Sequence, residues 1–185
     1  MVTVADPVIR FNQLITLPMV DLVEHGRGRA AWQESMPTFH SKILGPHFEE
    51  TAREWTRSFA TDETPVRIGA VGSAQLADQT ARMKHEIDVL ALAPGERPQS
   101  ARARITLIGE AKATFQPRGM QDVDRLERIR DVLAEQGHHS SAATLALYSL
   151  HGYAADVRQA AAQRTDLLLV DIDALYGDGP VRGGA

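Results

Sequence analysis

Three observations predict an α/β fold with a central mixed sheet of about five strands, helices on its faces and a helical N-terminal segment. Two β-rich apolar runs, HEIDVLAL (85–92) and ITLIGEAK (105–112), flank a polar loop and read as paired strands. Beyond residue 120, helix-like and strand-like patterns alternate, which calls for parallel members in the sheet. Amphipathic helical spacing precedes both strands. The 185 residues suit one domain with a real core, and 43% hydrophobic with 24% charged content is ordinary for a globular chain.

The N-terminal segment opens with DPVIRF (6–11). It sets Val8, Phe11, Leu14 and Ile15, then Met19, Leu22 and Val23, at helix-like spacing, with Pro18 breaking or kinking the run. Gly26 and Gly28, in GRGR (26–29), end it; a glycine C-cap with solvated arginines is a better reading than a phosphate-binding turn. The clearest helix follows at about 46–60. Pro46 stands in its first turn, and Phe48, Ala52, Trp55 and Phe59 form an apolar stripe at spacings of 4, 3 and 4. Glu49 lies on the edge of that stripe, with Glu50, Arg53 and Glu54 toward solvent.

Residues 66–71 read as a short strand and 72–82 as a connecting loop or irregular strand. The stretch PGERPQSARAR (94–104), with two prolines, a glycine and three arginines, is a solvated loop whose functional reading is a DNA-facing hairpin tip. After Pro117 and Gly119 a helix is expected from about 120 to 136, with Met120, Val123, Leu126, Ile129 and Leu133 inward. Its charges, in DVDRLERIRD (122–131), interleave in sign as on a solvated outer face. A buried strand (143–150), an alanine-rich helix (154–163) and a second buried strand (166–172) complete the fold, and 177–185 is a loose tail.

Several function classes fall away. With no cysteine, neither a disulfide framework nor a thiolate zinc site can form, and a reducing cytoplasm is the expected home. No signal-peptide pattern or unbroken apolar span is visible, so no membrane association is expected. The adjacent histidines of GHHSS (137–141) lack a third ligand at zinc-like spacing. No Gly-Lys-Ser or Gly-Lys-Thr phosphate loop occurs, and Ser140 and Ser141 lack a nucleophile-elbow context. A net charge of −4 gives no general affinity for nucleic acid, so any such binding needs a local patch.

What remains is the paired-strand stretch. Side chains two apart on a strand share a face, which sets Glu110 and Lys112 about 6–7 Å apart on one side. A hairpin symmetric about Gln99 puts position 88 opposite position 110, and a bulge would move this by one residue. Asp88, Glu110 and Lys112 then cluster on the face that meets the 46–60 helix, in a solvated cleft. Two carboxylates from neighbouring strands make a hard oxygen site suited to magnesium. A lysine beside them can hold or deprotonate an attacking water and balance the charge of a phosphate. A strand ending in a solvated glutamate and lysine is also common, so these three residues alone are equally compatible with an ordinary strand end.

Taken in order, DPVIRF, GPHFEETAREW (45–55), HEIDVLAL and GEAK (109–112) resemble the PD-(D/E)xK nuclease-like domain found at the C-terminus of archaeal and bacterial AAA-type ATPases, over nearly the whole chain. The resemblance implies a restriction-endonuclease-like core over 37–176 behind a helical N-terminal extension, 1–36. By position in the motifs it implies that Glu49 is the helix glutamate, Asp88 the metal-binding aspartate, Glu110 the second acid and Lys112 the lysine. Mg2+ or Mn2+ is the implied cofactor. The implied activity is hydrolysis of DNA to 5′-phosphate and 3′-hydroxyl ends. Since that domain follows an ATPase module and a winged helix in the family, an AAA-type ATPase module is an expected partner beside DNA. The competing expectation is a non-catalytic domain that docks on such a module or forms a homodimer. Arg53, Arg57, Lys84, Arg102, Arg104 and Arg118 are the expected phosphate-binding patch near the site.

Overall fold

The computed structural model describes residues 6–65 and 67–177; the proposed tail, apart from Gly177, lies outside them. The chain divides into two compact units, Met1–Glu50 and Thr51–Ala185.

In the first unit, Asp6 caps α1 (Pro7–Phe11), its carboxylate accepting from the N–H groups of Val8 at 2.8 Å and Ile9 at 3.0 Å. A π-helical turn over Asn12–Thr16 leads to a break at Leu17–Met19, where Pro18 was expected to stop the helix, and α2 (Val20–Glu24) follows. Gly26, at φ 72°, turns the chain into α3 (Gly28–Phe39). The sequence pattern did not announce this helix, because its buried positions are the small residues Ala31 and Ser35. Its larger side chains stack instead: Trp32 and Phe39 lie 5.1 Å apart between ring centroids, and each is 6.3 Å from Phe11.

The amphipathic helix predicted around 46–60 is α4 (Gly45–Ser58), with Phe48, Ala52 and Trp55 buried. Phe59 departs from the expected stripe. Its φ of −123° takes the chain out of the helix, and its ring is 50% exposed. A single turn, α5 (Ala60–Glu63), follows.

The second unit is built on a five-stranded mixed sheet in the order β1-β2-β3-β4-β5, namely Val71–Asp78, Met83–Leu92, Ile105–Lys112, Thr144–Ser149 and Leu167–Asp171. The first two pairings are antiparallel and the last two parallel. Helices α6 (Met120–Glu135) and α7 (Ala155–Gln163) make the two crossovers, and α8 (Ile172–Tyr176) ends the described chain. The first strand corrects the sequence reading. Residues 67–70 are not strand, and β1 takes up most of the stretch read as a connecting loop or irregular strand. An edge strand with only Leu76 and Asp78 buried carries no apolar alternation to reveal it.

One face of the sheet is covered by α6 and α7. Val123, Leu126, Ile129, Val132 and Leu133 of α6 pack with Ile108, Leu145, Leu147 and Val157 in one apolar cluster. Across the sheet, the Trp55 and Tyr148 rings meet edge-on at 6.0 Å, and the Thr56 hydroxyl hydrogen-bonds the Tyr148 phenol at 2.6 Å. The Trp55 indole donates to Ala174 O at 3.0 Å, tying α8 to the same side. Among the described residues no helix is long and apolar enough to cross a membrane.

Two expectations follow. A Cβ at Gly109 would stand 2.8 Å from Tyr148 Cε2 and 3.1 Å from Val89 Cβ, in a part of the core with no room to yield. Gly109→Ala should therefore destabilise the protein by about 1–3 kcal/mol, the usual cost of overpacking, read as a lower urea midpoint. The second concerns acid. Arg128 holds the Asp78 carboxyl well below the usual range, donating from Nε at 2.9 Å and Nη2 at 3.0 Å, and Arg164 with Arg130 does the same for Asp166. These groups titrate at about 3.9 when unfolded, so their contribution is complete above that pH and is lost as pH falls below it. The urea midpoint should drop on acidification below about pH 4, and the drop should be shallower in Arg128→Gln.

Candidate active site

The site is set by how β2 and β3 part company. The β2–β3 ladder pairs Val89 with Gly109, Leu90 with Ile108 and Ala91 with Leu107, the register of a hairpin symmetric about position 99. Continued by one residue, it puts Asp88 across from Glu110. The ladder's irregularity lies at the other end, where Leu92 pairs with Ile105. On its other edge β2 is bulged: pairing passes from Gly72–Leu90 to Ala74–Ile87, so Ser73 alone faces both Asp88 and Val89. A bulge re-aims the side chains it contains. Here Asp88 Oδ2 accepts the Ala111 N–H at 2.9 Å, so a carboxylate takes up a β3 donor where the ladder has ended. The Asp88 carbonyl in turn accepts from Arg53 Nη1 at 2.8 Å.

Glu110 and Lys112 share a face, as their spacing requires, but not the expected one. They project on the side of Ile108 and α6, whereas Tyr148 meets Trp55 and Thr56 of α4 on the other. The physical reason is parity. Gly109 and Ala111, the small residues of GEAK, are needed where α4 and the Tyr148 ring crowd the sheet, so the long side chains take the opposite face. Nor is Glu110 in a solvated cleft: it is only 4% exposed. Its Oε1 receives two cations, Lys112 Nζ at 3.1 Å and Arg125 Nη1 at 2.6 Å, while Arg125 Nη2 donates to Glu86 O at 3.1 Å. Its Oε2 is buried without a hydrogen-bond partner.

Glu49 is half-buried on α4 within the first unit. Of the expected basic patch, Arg53 is the donor to Asp88 O, and Arg118 is half-buried in an ion pair with Asp122, which also accepts the Gly119 N–H at the start of α6. Arg57, Lys84, Arg102 and Arg104 are exposed. Arg104 lies eight residues back along β3 from Lys112, about 26 Å at strand rise, so the 94–104 loop hangs from the opposite end of that strand. Arg125 is the residue that the sequence reading missed. Its place among interleaved charges marked it as solvated, and only the seating of α6 over the end of β3 turns it to Glu110.

Carboxylate oxygens are the donor type that a hard divalent ion takes. Glu110 Oε2 is a buried carboxylate oxygen without a donor, and Asp88 offers a second carboxylate from the neighbouring strand. Among the described residues no group of three or more His, Cys, Asp or Glu side chains forms a metal cage. An ion held here would therefore keep several waters, as magnesium does. Comparison of the chain with family models, curated proteins and solved structures gives no match.

Asp88 thus has a structural task beside any chemical one. Asp88→Ala leaves the Ala111 N–H without its acceptor and should cost about 1–3 kcal/mol in metal-free protein. Asp88→Asn keeps a carbonyl acceptor and should cost much less, the two compared by chemical denaturation.

Proposed function

We propose that this chain is a metal-dependent nuclease domain of PD-(D/E)xK type, hydrolysing DNA phosphodiester bonds in partnership with an AAA-type ATPase module. One observation carries the reading. Asp88 and Glu110 stand on adjacent strands at the end of their ladder, with the Lys112 ammonium 3.1 Å from a Glu110 carboxylate that keeps one buried oxygen unpartnered. Asp88 and Glu110 would hold Mg2+ or Mn2+. The ion, when bound, supplies Lewis-acid polarisation and an acidified water. Lys112 would orient or deprotonate the attacking water and balance charge on the phosphate. The exposed Arg57 and Lys84 would help to hold DNA phosphates, an attraction that weakens steeply with salt.

A second reading, a non-catalytic domain that docks on an ATPase module or a second copy of itself, draws on two other features. Arg125 and Lys112 together already neutralise Glu110. The short helices α1 and α2 leave Val8, Ile9, Val20 and Val23 exposed, apolar surface that a partner could cover.

Purified protein with Mn2+ should cut DNA, and the ion should raise its melting temperature, by the equivalent of about 2.7 kcal/mol at 100 times its Kd. Lys112→Ala should lower the cleavage rate by about 10²–10⁴-fold while leaving metal affinity intact or higher, and Lys112→Arg should not restore it. Glu110→Gln should lose cleavage and the thermal shift together. Wild-type protein that cuts neither single- nor double-stranded DNA, with or without an ATPase partner, sinks the enzyme reading, as does cleavage unchanged by Lys112→Ala.

A further inference from the structure

Arg125 belongs to no motif of the site, yet it makes the shortest contact with Glu110. We infer that Arg125 is the resident counter-cation of the metal-free site, leaving the Glu110 carboxylate when a divalent cation binds there; this rests on the metal-site reading above.

The geometry imposes a competition. Burying the Glu110 carboxylate, 4% exposed, requires a positive partner, and Oε1 already has two, Lys112 Nζ at 3.1 Å and Arg125 Nη1 at 2.6 Å. A magnesium-like ion binds carboxylate oxygen at about 2.0–2.1 Å. Adding two more positive charges at that distance, even with Asp88 sharing the ion, sets three cations beside Glu110, and their mutual repulsion favours withdrawal of the one least firmly held. Lys112 sits two residues along the same strand and its position is fixed by the β3–β4 pairing. Arg125 reaches in from a different element, and its side chain is 35% exposed. Its guanidinium cannot shed a proton to relieve the repulsion, so it can only move.

The way out is open, and the departing group keeps a foothold. Nη2 already donates to the neutral Glu86 carbonyl at 3.1 Å, a contact that survives withdrawal of Nη1. The unpartnered Oε2 adds the second half of the argument, since a carboxylate saturated for purely structural reasons would have both oxygens engaged. Oε2 is the oxygen that an ion would take, while Arg125 holds the other.

The test is Mn2+ binding to the full chain, measured by calorimetry without nucleic acid, for wild type, Arg125→Gln, Arg125→Lys and Glu110→Gln. Arg125→Gln should bind Mn2+ about tenfold tighter than wild type, the scale of one lost charge-assisted contact, with Arg125→Lys between. Metal-free Arg125→Gln should melt below wild type, and saturating Mn2+ should close that gap. If Arg125→Gln does not fold, the wild-type Arg125 side-chain NH resonance, followed during Mg2+ titration, should shift as the contact with Glu110 is lost. Wild-type binding with no gain in Arg125→Gln, or with an unmoved Arg125 resonance, overturns the inference while the metal site stands. No binding by wild type or Arg125→Gln, with Glu110→Gln equally inert, overturns both.

Discussion

The second unit depends on the seating of α6 across the sheet. Its apolar stripe, Val123, Leu126, Ile129 and Leu133, meets Ile108, Leu145 and Leu147, and this burial supplies most of what holds the helix in place. Three arginines of the same helix then reach carboxylates on the sheet or its loops. Arg125 bonds Glu110 on β3, Arg128 bonds Asp78 on β1 and Arg130 bonds Asp166 just before β5. Packing fixes how close the helix lies. The arginines fix its rotation and its position along the strands, because a planar guanidinium meets a carboxylate in few geometries. A helix shifted by one residue would miss all three.

This arrangement changes how the acidic cluster should be understood. Two carboxylates brought together without compensation would repel, and a cation would relieve that cost. Here Glu110 is compensated from within by Lys112 and Arg125, and Asp88 is bound to a backbone donor. Glu110 therefore carries its counter-charges within the fold, and no electrostatic void surrounds it. The net contribution of such a buried pair to stability is small, since desolvation offsets most of the attraction. Its effect lies in specificity, because removal of one partner leaves the other buried and unpaired.

The bulge in β2 makes the cluster and the sheet compatible. Regular pairing through Asp88 would have committed its backbone on both edges and left its carboxylate facing one side of an unbroken sheet. With Asp88 and Val89 both opposite Ser73, the strand turns locally, Asp88 reaches the Ala111 N–H, and Arg53 takes the Asp88 carbonyl. Backbone groups freed by the irregularity are thus hydrogen-bonded by side chains, as buried polar groups must be. The pairing of Lys112 with Ser149 in the parallel half places the lysine at the carboxyl ends of β3 and β4.

The sequence by itself determined the elements whose burial is periodic: the β2 and β3 strands, α4, α6, β4, α7 and β5, together with the break at Pro18 and the register that brings Asp88 level with Glu110. Each follows from local rules, since alternation, 3.6-residue spacing and hairpin symmetry are carried by neighbouring residues. It left β1 open between loop and irregular strand, because its strand state comes from pairing with β2 rather than from its own polar composition. Nor did it reveal α3, whose buried residues are small, or the exposure of Phe59, where the helix ends at Ser58, one residue short of the stripe's last member. The face on which Glu110 and Lys112 project, the burial of Glu110 and the part played by Arg125 were decided only by tertiary structure. Strand parity says which residues share a face but not which helix covers it. That choice is made by Gly109 and Ala111, whose small side chains admit the Tyr148 ring and α4 on one side and so turn Glu110 toward α6 on the other.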